Sequence, residues 1–329
     1  MKTIAVLTSG GDAPGMNAAI RAVVRTGCDN GARVLGIRRG YVGLMEGDMF
    51  EMNPMTVTDI IQKGGTMLCS ARSSRFHSEE GMQDAIDVCR KNGVDGIVVI
   101  GGDGSFRGAR DLSIRGVNCV GVPGTIDNDI ACCDFTIGYD TCLDTIKEMI
   151  DRIKDTSESH NRCTVVELMG RKAGFLTLNA GIAVGATAIL VPEVEFDLKK
   201  DVIDRIQKAL NTGKHNFIVT VAEGCNDKLK ELGIDGVAGL AKYINEQLGV
   251  EGRSSILGHV QRGGSPTVND RVNASRMGNH AAHLLLDGIG NRVVAMRKGE
   301  VLDFDIVEAL EMKKTLDRHL YDVAMEVAL

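Results

Sequence analysis

Several features are missing from this sequence, and each absence excludes something. There is no basic excess: 38 Lys and Arg stand against 44 Asp and Glu for a formal net charge of -6. Neither nucleic acid nor an anionic membrane is therefore expected as the main partner. No stretch approaches the roughly 18 apolar residues of a membrane span. The opening Ile4 to Leu7 run is too short for a signal-peptide core, so the expected location is cytoplasmic. The 9 cysteines form no CxxC pair and their number is odd, which points to reduced thiols. His280 and His283 have metal-like spacing but no companion cluster, and read as helix packing rather than zinc ligands. Neither GxxxxGK[ST] nor GxGxxG occurs, which excludes a Walker loop and a dinucleotide fingerprint.

What is present is the composition of a globular protein. Hydrophobic residues make up 43% of 329, and 40 glycines against 5 prolines suggest many tight strand-to-helix turns. That length suits two ordinary domains or one large α/β unit. Apolar β-branched runs alternate with amphipathic stretches, the pattern of parallel strands covered by crossover helices. Strands are predicted over 3–8, 33–37, 96–100, 117–122, 163–168, 187–191, 217–222, 254–257 and 292–295. The clearest helices are predicted over 17–28, 81–91, 141–157, 199–210, 237–247, 268–287 and 306–327. No low-complexity linker or short repeat marks a boundary.

Three glycine-rich turns follow predicted strands. Thr8 to Gly15 leads into a helix starting near Met16, so backbone donors and a helix N-terminus face one point, as in a phosphate cradle. Read alone, a glycine turn after a first strand is more often only a turn. Gly101-Gly102-Asp103-Gly104-Ser105 opens the next helix at about Asp103, where a carboxylate can meet a cation bridging phosphates. Helix capping also accounts for Asp103, but not for the surrounding glycines. In Pro123-Gly124-Thr125-Ile126-Asp127-Asn128-Asp129, the two acids face opposite ways if the chain is extended. One can then accept a hydroxyl proton while the other orients a metal or partner. The alternative is a self-bonded Asp-Asn turn.

Arginines close to glycines supply local positive charge: Arg72, Arg162, Arg171, Arg253 and Arg262, the last two in the Arg253 to Gly264 run with His259. Arginine binds phosphate through a bidentate fork, although each alone also reads as a surface charge. Glu223 ends a strand and can accept from sugar hydroxyls, or serve as a cap or ion-pair partner.

Taken with Ser9 to Asn17, Glu167-Leu168-Met169-Gly170-Arg171 and Leu257 to Ser265, these segments make the whole chain resemble the bacterial-type ATP-dependent 6-phosphofructokinases. The resemblance implies two Rossmann-like three-layer α/β/α domains with mostly parallel sheets and an active site in the interdomain cleft. It assigns 1–138 plus 252–304 to a larger ATP-binding domain, and 139–251 plus 305–329 to a smaller fructose 6-phosphate domain. It implies a homotetramer with substrate sites shared between subunits. Asp127 is then the general base, with Thr125 and Asp129 beside it, and Arg171 stabilises the transferring group. Gly11, Tyr41, Arg72, Ser73, Gly102, Gly104, Ser105 and Gly108 surround ATP, with Asp103 on Mg²⁺. Fructose 6-phosphate is held by Thr125, Asp127, Met169, Gly170, Arg171, Glu223, His259 and Arg262, joined by Arg162 and Arg253 from a neighbouring subunit.

Two further expectations follow from the resemblance. Pyrophosphate users in the family tend to carry a bulkier acid where this chain has Gly104 and a lysine where it has Gly124, so ATP is the expected donor. The family's ADP or phosphoenolpyruvate effector site is matched by Arg21, Arg25, Gly185 and Lys214, with Lys154 in place of arginine. Pro54 replaces an arginine, Thr187 a glutamate and Thr212 a lysine, so effector binding is expected to be weakened or retuned. The alternatives are a pyrophosphate-dependent enzyme, a lipid or NAD kinase sharing the Gly-Gly-Asp-Gly loop, and a non-catalytic regulatory subunit.

Overall fold

The computed structural model describes residues 1–328. Among these, the strands are β1 (Thr3–Thr8), β2 (Arg33–Ile37), β3 (Met49–Met52), β4 (Gly96–Gly101), β5 (Asn118–Pro123), β6 (Cys163–Leu168), β7 (Ala188–Leu190), β8 (Phe217–Ala222), β9 (Gly252–Ile256), β10 (Arg292–Arg297) and β11 (Glu300–Asp305). The helices are α1 (Met16–Asp29), α2 (Gly40–Glu46), α3 (Glu79–Asn92), α4 (Asp103–Ile114), α5 (Tyr139–Ser159), α6 (Phe175–Ala183), α7 (Asp204–Asn211), α8 (Asn226–Glu231), α9 (Gly236–Leu248), α10 (Val268–Leu286), α11 (Ile306–Glu311) and α12 (Arg318–Val327). They divide into two compact units, Met1–Thr141 with Arg262–Lys314 and Cys142–Gln261 with the segment from Thr315.

The first unit is built on a seven-stranded sheet of order β11-β10-β5-β4-β1-β2-β3. Its centre is parallel, with Val6 opposite Val98 and Val98 opposite Val120. Every residue of β1 and β4 is buried, because helices cover both faces and continuous Val/Ile runs suit a strand with no wet side. On one face α1 packs on α10 so closely that a Cβ at Gly278 would lie 2.7 Å from the Ala19 carbonyl oxygen. The edges β3 and β11 run antiparallel to their neighbours. Neither was predicted, since each is half-exposed and lacks a continuous apolar run.

The second unit has a four-stranded, all-parallel sheet of order β7-β8-β6-β9. Val165, Phe217, Val219 and Val221 pack in one core with Ile206 of α7 and Leu240 and Ile244 of α9. Residues 252–261, expected in the larger domain, lie in this unit because β9 pairs with β6, Thr164 opposite Arg253. Conversely β11 and α11 keep the first unit going to Lys314, ten residues past the expected end at 304. The single helix predicted over 306–327 is accordingly two, broken at Met312, which is extended at ψ 149°. The predicted 199–210 helix begins with a π-type turn, Lys199–Ile203.

Candidate active site

In the first unit, three loops leave adjacent parallel strands at their carboxyl ends, the edge at which open α/β sheets bind ligands. Pairing continues just past the strands. The Ser9 N–H donates to the Ile100 carbonyl at 2.9 Å, and the Gly124 N–H to the Gly101 carbonyl at 2.9 Å. The Ser9–Gly15, Gly102–Ser105 and Gly124–Asp129 loops therefore lie side by side.

The glycines of these loops serve different purposes. A Cβ on Gly101 would lie 2.5 Å from the Ser9 carbonyl oxygen and 2.4 Å from Ser105 Oγ, so internal packing already excludes a side chain there. Gly102 meets nothing closer than Thr125 Cβ at 3.7 Å, and a Cβ on Gly104 meets nothing within 4 Å. The open space over Gly102 and Gly104, at the N-terminus of α4, is what an approaching phosphate requires. A Cβ on Gly124 would come within 3.0 Å of Ile100 Cγ2 and 3.2 Å of Met16 Cε, so this position is tight.

Asp103, the first residue of α4, accepts from Arg107 one turn along, Nε at 2.8 Å and Nη2 at 3.3 Å. The pair is solvent-exposed. Asp127 is 4% exposed, and its N–H donates to Thr125 Oγ1 at 3.2 Å. The segment is not extended: Asn128 has φ +53°, so the strand-like alternation expected of Asp127 and Asp129 does not apply. Asn128 does not bond within its own turn but reaches onward, with Nδ2 donating to the Asp134 carbonyl and Oδ1 accepting from the Thr136 N–H. Thr136 Oγ1 in turn donates to the Thr125 carbonyl at 2.6 Å. These Asn128 bonds and a buried carboxylate thus coexist on neighbouring residues.

The remaining residues expected around the nucleotide divide into open and packed. Arg72 is exposed, and Ser70 Oγ ties its loop to the Gly10 carbonyl at 2.6 Å. Tyr41 is buried, stacked on Phe76 at 3.9 Å, and its hydroxyl donates to the Ser105 carbonyl at 2.5 Å. Gly108 faces that stack, where a Cβ would meet Phe76 at 2.8 Å and Tyr41 at 2.9 Å. Ser73 Oγ accepts from the Phe76 N–H. Tyr41, Ser73 and Gly108 therefore have packing reasons of their own. Arg262, expected with the sugar phosphate, lies in the first unit, with Nη1 2.7 Å from a Cβ built on Gly11 and 3.4 Å from the Asp12 carbonyl.

Sequence reasoning missed Asp270. This residue is 3% exposed and accepts from the N–H groups of Gly138 and Thr141 at 2.8 Å each, and from Thr141 Oγ1 at 2.5 Å. Burial pushes its carboxyl up to about 6, against the opposing pull of those donors. The one local hint was Thr267, three residues earlier, whose hydroxyl caps α10 at the Asp270 N–H.

In the second unit, Met169, Gly170 and Arg171 follow β6, with Gly170 at φ +135° and Arg171 at φ +57°. Glu223, at the end of β8, accepts from the Gly170 N–H at 3.1 Å and the Arg171 N–H at 2.5 Å. The Arg171 side chain stays exposed, as does His259 in the 3-10 turn Gly258–Arg262. Arg162 and Arg253 are joined by Glu251, with Arg162 Nε at 2.8 Å and Arg253 Nη2 at 2.5 Å. The Arg162 hydrogen bond holds the Glu251 carboxyl below its usual range.

The residues matched to an effector site fall in both units. A cavity of about 540 Å³ in the first is lined by Arg25 and Pro54. One of about 230 Å³ in the second is lined by Lys154, Gly185 and Lys214. Lys214 Nζ donates to Thr187 Oγ1 at 3.4 Å, and Lys154 Nζ to the Val184 carbonyl. Burial, and then Lys154, lower the Lys214 ammonium from its ordinary value. Thr212 Oγ1 turns back to the Ala209 carbonyl. His280, excluded above as a zinc ligand, pairs with Asp303 at 2.9 Å.

The chain is 52% identical over 324 residues to the ATP-dependent 6-phosphofructokinase of Clostridium botulinum (strain Loch Maree / Type A3), covering 98% of each chain. Identity and coverage are the same with the ATP-dependent 6-phosphofructokinase of Clostridium tetani (strain Massachusetts / E88). Among solved structures, phosphofructokinase from Saccharomyces cerevisiae superposes with a TM-score of 0.86 at 34% identity, over 100% of this chain and 48% of that one, so this chain spans about half its length. The phosphofructokinase family model matches residues 3–285, which include the α4 cradle, the Asp127 turn and the Arg171 turn. Fold, loops and sequence agree, and the chain belongs to the phosphofructokinase family.

Proposed function

We propose that this chain transfers the γ-phosphoryl group of ATP to the 1-hydroxyl of fructose 6-phosphate, giving fructose 1,6-bisphosphate and ADP, in the cytoplasm. The observation that carries the proposal is one sheet edge where an uncovered helix N-terminus at Gly102 and Gly104 adjoins the buried carboxylate of Asp127. The first suits a polyphosphate, and the second a hydroxyl proton.

Asp127 takes the proton of the sugar hydroxyl, with Thr125 and Asp129 fixing its surroundings. Arg171 stabilises charge on the transferring group, a contribution worth roughly 10³–10⁵ in rate in related phosphoryl transfers. Gly11, Arg72, Ser73, Gly102, Gly104 and Ser105 receive the nucleotide, with Tyr41 and Gly108 supporting the cradle from beneath. Met169, Gly170, Arg171, Glu223, His259 and Arg262 receive the sugar phosphate.

Among the described residues no group of three or more His, Cys, Asp or Glu forms a metal cage. Mg²⁺ keeps most of its waters and takes one or two carboxylates plus substrate phosphates. Asp103 fits this part, since its present partner is an exposed arginine. When bound, the ion would neutralise charge on the phosphates.

Gly104 favours ATP over pyrophosphate, because its open Cβ direction leaves room for an α-phosphate. A purely regulatory role is disfavoured by the presence of Asp103, Asp127 and Arg171 together. We further propose a homotetramer in which the Glu251-linked pair Arg162 and Arg253 is presented to a neighbouring subunit's sugar phosphate. Effector binding by ADP or phosphoenolpyruvate is weakened or retuned: the second unit's cavity offers Lys154 and Lys214, with Thr212 where the family has a lysine, and the first unit's cavity offers Arg25 with Pro54 where the family has an arginine. The experiment is Arg171→Ala: a fall in kcat of about 10³-fold or more supports the assignment. Unchanged kcat refutes it.

A further inference from the structure

We infer that Gln261 is a positioning residue, which sets the Met169–Arg171 turn against the turn that carries His259. Gln261 is 0% exposed, so it touches no substrate. Its Oε1 accepts from the Met169 N–H at 3.1 Å, and its Nε2 donates to the Gly258 carbonyl at 3.0 Å. A buried amide is retained only where its polar atoms find partners, and here both ends are used on backbone of two different loops.

The consequence follows from the neighbours. Glu223 accepts from the next two N–H groups, Gly170 and Arg171, so three successive N–H groups of this turn are held by side chains from two other segments. Backbone at φ +135° and +57° is not a conformation that the chain adopts unaided at two consecutive positions. Without Gln261 the first N–H of the turn and the Gly258 carbonyl, both partly buried, each lose their side-chain partner, and each loop relaxes toward other partners. Arg171 and His259 then lose their relative placement, although neither side chain has been changed. Misplacement of about 1 Å can cost 10²-fold in rate.

The inference rests on the proposed function in so far as Arg171 and His259 meet the sugar phosphate. The test compares wild type, Gln261→Met and Gln261→Glu in the full-length protein. Methionine keeps volume and removes both hydrogen bonds. The glutamate keeps the acceptor, and gains the donor when protonated. In Gln261→Met, amide hydrogen exchange across 169–171 is expected to quicken, and kcat/KM for fructose 6-phosphate to fall ~10–100-fold, with KM for ATP within about twofold of wild type. Gln261→Glu is expected to recover toward wild type, measured at the same pH, as pH is lowered. Unchanged exchange and unchanged kcat/KM in Gln261→Met overturn the inference, as does a rise in both KM values by equal factors. If Gln261→Met does not fold, the pH dependence of Gln261→Glu decides, and parallel pH profiles overturn the inference. A wild type inactive toward fructose 6-phosphate refutes the proposed function instead, and exchange at 169–171 still decides Gln261.

Discussion

Arg107 holds Asp103 through two donors, Nε at 2.8 Å and Nη2 at 3.3 Å, one turn into helix α4, whose N-terminus carries the open glycines Gly102 and Gly104. The carboxylate assigned to Mg²⁺ is thus already shared. An exposed pair at this spacing is weak, so a cation carried by a nucleotide displaces it at small cost. Arg107→Ala is expected to lower the Mg²⁺ concentration for half-maximal rate by less than about fivefold. Asp103→Ala should raise it far more, and equal effects in a Mg²⁺ titration would contradict the assignment.

Gly101 and Gly104 lie in the same loop but answer to different constraints. Gly101→Ala drives a Cβ against the Ser9 carbonyl oxygen at 2.5 Å, and should destabilise the protein by about 1–3 kcal/mol. A Cβ on Gly104 meets nothing within 4 Å, so Gly104→Asp should leave the melting temperature nearly unchanged. In the proposed site the added acid would occupy and repel the nucleotide's place, so kcat/KM for ATP should fall by tenfold or more. Thermal melts together with ATP kinetics check both expectations.

Asp270 gives the first unit a pH signature. Its folded carboxyl sits at about 6, above the roughly 3.9 of an unfolded chain, so the folded state binds the proton more tightly. That stabilisation is fully present below about pH 4 and is lost as pH rises through 6. Compared with Asp270→Asn, wild type should lose on the order of 2–3 kcal/mol between those limits. Melting temperatures of the two proteins across this range provide the measurement, and parallel curves would contradict the sign.

The buried strands were legible because their chemistry is local. Runs such as Ile97-Val98-Val99-Ile100 have no polar face and stand between glycine turns. The edge strands β3 and β11 become strands only through their neighbours, and α6, apolar on nearly every side, shows no helical stripe. The break at Met312 carries neither glycine nor proline, and falls just before the chain leaves the first unit. In the site, acids beside glycines announced themselves. Thr136, Gln261 and Asp270 did not, because each is a single polar residue whose partners lie on other segments or several residues away. Gly101 was read as a ligand glycine and is a packing glycine.

The central claim is that Asp127 removes the sugar hydroxyl proton while the Gly102–Gly104 cradle holds ATP. The most direct measurement is steady-state turnover of fructose 6-phosphate with ATP or pyrophosphate, in wild type and Asp127→Asn, alongside equilibrium ATP binding. The account predicts a clear preference for ATP in wild type. In the variant it predicts a loss of about 10²–10⁴-fold in kcat with ATP affinity largely intact. Near-normal turnover in Asp127→Asn, or a preference for pyrophosphate, would contradict it.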